Sequence, residues 1–77
     1  MTDPARLRRV VADALRVRES ALTDESGPGN PAAWDSLGHI LVCLAVEKAL
    51  GVRLTEQEMR EITSMTALRA VMQQARR

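Results

Sequence analysis

Apolar residues recur at Leu7, Val10, Val11, Ala14 and Leu15, the i, i+3, i+4, i+7, i+8 spacing of one helical face, and predict a first helix over residues 4–18. Asp3 is its expected N-cap, with Pro4 at the first helical position, where the missing N–H costs nothing. The periodicity then vanishes over 19–33. Gly27, Pro28, Gly29, Asn30 and Pro31 read as loop, and Leu22 is the residue there expected to reach the core. A loop this long in a short chain is usually functional or disordered. The longest apolar run follows. It starts at Asp35 or Ser36 and closes near Leu50, where Gly51 offers a left-handed C-cap. Thr55 and Glu58 have the spacing of a capping box, which predicts a short third helix with Met59 and Ile62 as its apolar contacts. Ser64 or Thr63 can cap a last helix carrying Met65, Leu68, Val71, Met72 and Ala75. No segment alternates like a strand. The expectation is an all-α bundle of three longer helices and one short one, in a single domain spanning 1–77.

The second helix breaks the amphipathic pattern. At 100° per residue, Val42, Cys43, Ala45, Val46, Ala49 and Leu50 cover one half, while Leu37, Ile40, Leu41 and Leu44 lie on the side of Ser36. A helix apolar all round is either deeply buried or uses its second face to meet something. In so small a bundle a partner protein is the favoured reading.

Composition narrows the chemistry. The 77 residues are 45% hydrophobic but only 1% aromatic, so the core must be aliphatic and a catalytic cleft beside it is not expected. One cysteine, Cys43, makes no internal disulfide, and one histidine, His39, supplies no metal set. Net charge is +1. That gives no general reason to bind nucleic acid or membrane, and the arginines of the first helix are interrupted by Asp13 and Glu19. Nothing resembles a leader or a membrane span, so a reducing, cytoplasmic setting is expected.

Candidate chemistry gathers where the loop meets the second helix, at Trp34-Asp35-Ser36-Leu37-Gly38-His39. Trp34 stands where it can pack on the bundle and fix how the chain approaches the helix. Asp35 and Ser36 are both cap formers, and such a pair is by itself ordinary capping. Only one is needed, however. If Asp35 caps, Ser36 is the first helical residue, its hydroxyl faces solvent, and a phosphate attached there would meet the positive end of the helix dipole. His39 falls on the inward half, one turn on, with Cys43 a further turn along. A lone histidine on such a face is usually a packed, hydrogen-bonded residue, and a buried cysteine a small hydrophobe, so no catalytic residue is assigned.

The chain resembles the acyl carrier protein family over nearly its whole length. The resemblance rests on Asp35-Ser36-Leu37 opening a long helix after a long loop, then Glu47-Lys48-Ala49-Leu50-Gly51-Val52, Leu54-Thr55, and a short helix reaching Ile62-Thr63. The wording around Trp34 is most similar to discrete carriers of polyketide or hybrid pathways. The resemblance implies a monomeric four-helix acyl-carrier-like bundle whose Ser36 takes 4′-phosphopantetheine from coenzyme A, with Asp35 and Leu37 beside it. It implies a phosphopantetheinyl transferase, an acyl-loading enzyme or acyltransferase, and a ketosynthase or other pathway enzymes as partners. Docking would fall to Leu37, Ile40, Leu41, Leu44 and Glu47. His39, Cys43, Val46, Met59 and Ile62 would line a shelter for the acyl chain. Many members are acidic along the second helix, whereas this one offers chiefly Asp35 and Glu47, and its first helix is rich in arginine. Two other readings stay open: a peptidyl carrier of the same fold, and a helical adaptor that never carries an arm.

Overall fold

The computed structural model describes residues 4–75, so the Asp3 cap and the terminal arginines lie outside the described residues. In chain order it places α1 (Pro4–Leu15), a single 3-10 turn (Glu19–Ala21), α2 (Ser36–Leu50), α3 (Glu56–Glu61) and α4 (Met65–Ala75). None of these helices is long and apolar enough to cross a membrane.

α1 buries Leu7, Val11, Ala12 and Leu15 and packs Val10 and Ala14 against the same core. It stops at Leu15, short of the predicted residue 18. The cause is Arg16, which turns left-handed at φ 59° and lets Val17 N–H reach back to Ala12 C=O at 3.0 Å. Such a C-terminal turn usually takes glycine, and an arginine there gives no sequence signal. At the other end of α1, the Arg6 guanidinium donates to Ala49 C=O at 2.8 Å, which satisfies a carbonyl in the last turn of α2.

The long loop is ordered and docked on the start of α4. The N–H groups of a helix's first turn have no intrahelical partner, yet those of Met65, Thr66 and Ala67 are satisfied here, and Leu68 N–H makes the first helical bond, to the carbonyl of the cap residue. Met65 N–H donates to Ser26 C=O (2.8 Å), Thr66 N–H to Asp24 C=O (3.2 Å), Leu68 N–H to Ser64 C=O (2.9 Å), and Ala67 N–H to Ser64 Oγ (3.0 Å). Ser64 rather than Thr63 is therefore the capping side chain. Arg69 adds an ion pair to Asp24 at 3.2 Å. Ser26 is buried, its Oγ accepting from Thr23 N–H at 2.8 Å. Gly27 sits so close to α4 that a Cβ there would lie 2.2 Å from Thr63 C=O, which leaves room only for glycine.

α2 ends as expected, with Gly51 at φ 67°. The following link is held by Glu47, whose Oε2 accepts from Leu54 N–H at 2.8 Å, and it buries Val52 and Leu54. α3 opens with the predicted capping box: Thr55 Oγ1 accepts from Glu58 N–H (3.0 Å) and Glu58 Oε1 from Thr55 N–H (2.9 Å). Its six residues bury none of their own, and Ile62, just past its end, is the anchor in the core. A helix so short has little stability by itself.

Candidate functional site

α2 begins as the cap chemistry requires. Asp35 has extended backbone and its Oδ1 accepts from Gly38 N–H at 2.8 Å. Ser36 is the first helical residue and is exposed, and neither its N–H nor that of Leu37 has an intrahelical acceptor. The first turn lies unusually close to its neighbours. A Cβ on Gly38 would fall 2.3 Å from Ala33 C=O and 2.9 Å from a Leu15 methyl, so glycine lets the loop and α1 press against this end of the helix. A glycine inside a helical pattern is the signal that could have marked this approach beforehand.

Two open hollows flank the first turn. One, of about 540 Å³, is lined by Pro28, Gly29, Trp34, Asp35, Ser36 and His39. The other, of about 300 Å³, lies towards α1 and includes Arg16, Asp35, Leu37 and Leu41. Trp34 has no exposed surface, so it forms the floor of the first hollow rather than an open aromatic face. Its Nε1–H donates to His39 Nδ1 at 2.9 Å, and His39 Nε2–H donates to Met59 C=O at 2.8 Å. The indole and imidazole rings are 6.2 Å apart and 23° from parallel. His39 is thus packed and hydrogen-bonded through both nitrogens, as a lone histidine on such a face was expected to be.

The remaining residues separate into two groups. Leu37, Ile40, Leu41 and Leu44 are 65%, 55%, 42% and 56% exposed and form one strip running from Ser36 along α2. Cys43, Val46 and Ile62 are in the core and Met59 is half-buried against it, so of the five residues expected to shelter an acyl chain only His39 faces the hollow beside Ser36. The Cys43 thiol is pushed up to about 11, first by burial and then by the nearby Glu47 carboxylate, which makes it a poor nucleophile. Glu47 is half-buried and already engaged with Leu54 N–H. Among the described residues no group of three or more metal-ligating side chains converges.

Fold and site together define a small helical domain that presents one exposed serine, at the capped start of its longest helix, beside an apolar strip. No protein-family model matches the chain. A curated relative does: the chain is 36% identical to polyketide-8 synthase acyl carrier protein 2 of Streptomyces avermitilis over 63 residues, 82% of this chain and 72% of that one. The chain belongs to the acyl carrier protein family.

Proposed function

We propose that the chain carries an acyl or extender-unit intermediate as a thioester on 4′-phosphopantetheine attached to Ser36, and presents it to the enzymes of a polyketide or related secondary-metabolite pathway in the cytoplasm. One observation carries the reading: Ser36 is exposed at the first position of α2 while Asp35 does the capping, so the hydroxyl is not needed for the fold. The surroundings fit a phosphate on that oxygen. The N–H groups of Ser36 and Leu37 and the positive end of the α2 dipole face it, and no structural role of Asp35 is lost. When bound, the group supplies the thiol that holds the acyl chain. The protein's own residues hold, orient and are recognised, and they perform no catalysis.

Recognition falls to Leu37, Ile40, Leu41 and Leu44. Burying one such side chain contributes about 1.5 to 3 kcal/mol, so four left in water amount to several kcal/mol that the isolated domain does not use. A phosphopantetheinyl transferase, an acyl-loading enzyme and a ketosynthase each fit as partners that cover the strip in turn. Glu47 sits at its far end as a secondary contact. Shelter of the acyl chain among His39, Cys43, Val46, Met59 and Ile62 would require the core between α2 and α3 to open. The relative's name supports the pathway class.

The test is incubation with coenzyme A and a broad phosphopantetheinyl transferase, followed by intact mass. The parent is expected to gain one arm, and Ser36→Ala to gain none while unfolding at the same temperature. An arm on Ser36→Ala would place the site elsewhere. A parent that gains nothing would leave a helical binding module without an arm.

A further inference from the structure

Trp34 offers only a donor through its indole N–H, and Met59 offers only an acceptor through its carbonyl. His39 stands between them at 2.9 Å and 2.8 Å. The two contacts are compatible with one form of the ring alone, the neutral imidazole with its proton on Nε2. An Nδ1 proton would face the indole N–H, donor against donor, and an Nε2 without a proton would face the carbonyl with nothing to give.

We propose that Trp34 acts with the Met59 carbonyl to select the tautomer of His39, and that this tautomer is what ties α3 to the first turn of α2. The hydrogen bond to Met59 joins α2 to a helix of six residues that buries none of them, so it bears on an element with little stability of its own. The indole is fully buried and His39 half-buried, which fixes the geometry at one end and leaves the other reachable. The reachable side lines the hollow next to Ser36, so whatever occupies that hollow meets the ring that holds α3. His39 is in this reading a positioning residue that relays the state of the loop and the hollow to α3. The relay stands whether or not Ser36 carries an arm, because each member is present in the unmodified chain.

The experiment is NMR on the ¹⁵N-labelled, unmodified protein and on Trp34→Phe, reading the His39 ring nitrogens, the Trp34 indole N–H and amide exchange in α3 and α4. In the parent, Nε2 is expected to be protonated and Nδ1 to accept the indole proton. In Trp34→Phe the ring is expected to become a mixture of tautomers, and exchange at the Met59 and Ile62 amides to rise about tenfold while α4 is unchanged. A parent ring protonated on Nδ1 would overturn the proposal, as would a Trp34→Phe protein with unaltered tautomer and unaltered α3 exchange. If Trp34→Phe loosens α4 equally, His39→Gln and His39→Leu decide. Glutamine can accept from the indole and donate to Met59, whereas leucine can do neither. Parent-like α3 protection in His39→Gln with loss in His39→Leu supports the relay, and equal protection in the two refutes it.

Discussion

The two faces of α2 are built from the same kind of residue and meet opposite fates. Val42, Cys43 and Val46 are buried, and Leu37, Ile40, Leu41 and Leu44, on the same fifteen-residue helix, are in water. Side-chain hydrophobicity does not separate the two sets. Position relative to Ser36 does. An aliphatic helix that leaves half its surface in water carries a second apolar face, and here that face lies beside Ser36.

The comparison breaks most sharply under charge. Val46→Glu would bury a carboxylate without a partner and is expected to cost at least about 4 kcal/mol, enough to unfold a domain of ordinary stability. Leu41→Glu is expected to change stability by no more than about 0.5 kcal/mol, since the side chain already faces water. Thermal or urea unfolding of the two variants reads the contrast directly. Equal losses would mean that the faces are not distinct.

The inner face can also be probed by pH. Burial opposes the Cys43 thiolate, so the folded thiol titrates above its ordinary value of 9.0, at about 11. The sign follows from linkage. The contribution is intact below about 9 and is lost as pH rises through the folded value, by about 2 to 3 kcal/mol in all. Urea midpoints should therefore fall between pH 9 and 11 in the parent more than in Cys43→Ala. Matching pH profiles would show that the thiol is not sealed in the core.

Asp35→Ala tests where the faces meet. Loss of this N-cap is expected to cost about 1 kcal/mol and to slow modification of Ser36, because the first turn frays. Unfolding curves and intact-mass time courses together check it, and a variant equal to the parent in both would show that Ser36 needs no independent cap. The smallest effect concerns the outer face alone. Docking driven by apolar burial should respond little to salt as the screening length falls from about 10 Å at 0.1 M to about 3 Å at 1 M. Acyl transfer from the loading enzyme, titrated with salt, measures this. Strong inhibition combined with an unaffected Leu41→Glu carrier would return the weight to Glu47 and the acidic residues of α3.

Features whose causes are local in sequence were legible beforehand. The caps at Asp35 and Thr55, the left-handed Gly51, the buried stripes of α1 and α4 and the exposed strip of α2 each depend on residues within about a turn or two of one another. What escaped depends on distant partners. The loop is held by the start of α4, some forty residues away, and the one local exception is Arg16, which ends α1 in a left-handed conformation that arginine does not advertise. In the sequence Glu47 has the look of a surface charge, because its acceptor role needs Leu54 N–H folded back beside it. Trp34 and His39 each have a reading of their own in the sequence, and their pairing through to Met59 requires three segments to meet. The position of Ser36 was legible too. It follows from two neighbouring cap formers of which the fold uses one, Asp35, leaving Ser36 exposed.

The docking of the long loop on α4 has a consequence for how the chain survives among proteases. A segment with Gly27, Pro28, Gly29, Asn30 and Pro31 has the composition of an easy cutting site. Cleavage needs a stretch of backbone to leave the surface and extend, and here Asp24 and Ser26 cannot leave without stripping the acceptors from Met65 and Thr66 at the head of the last helix. Nicking between the first two helices is thus coupled to fraying of the fourth. Its rate reports how often the first turn of α4 frays, not how supple the loop is.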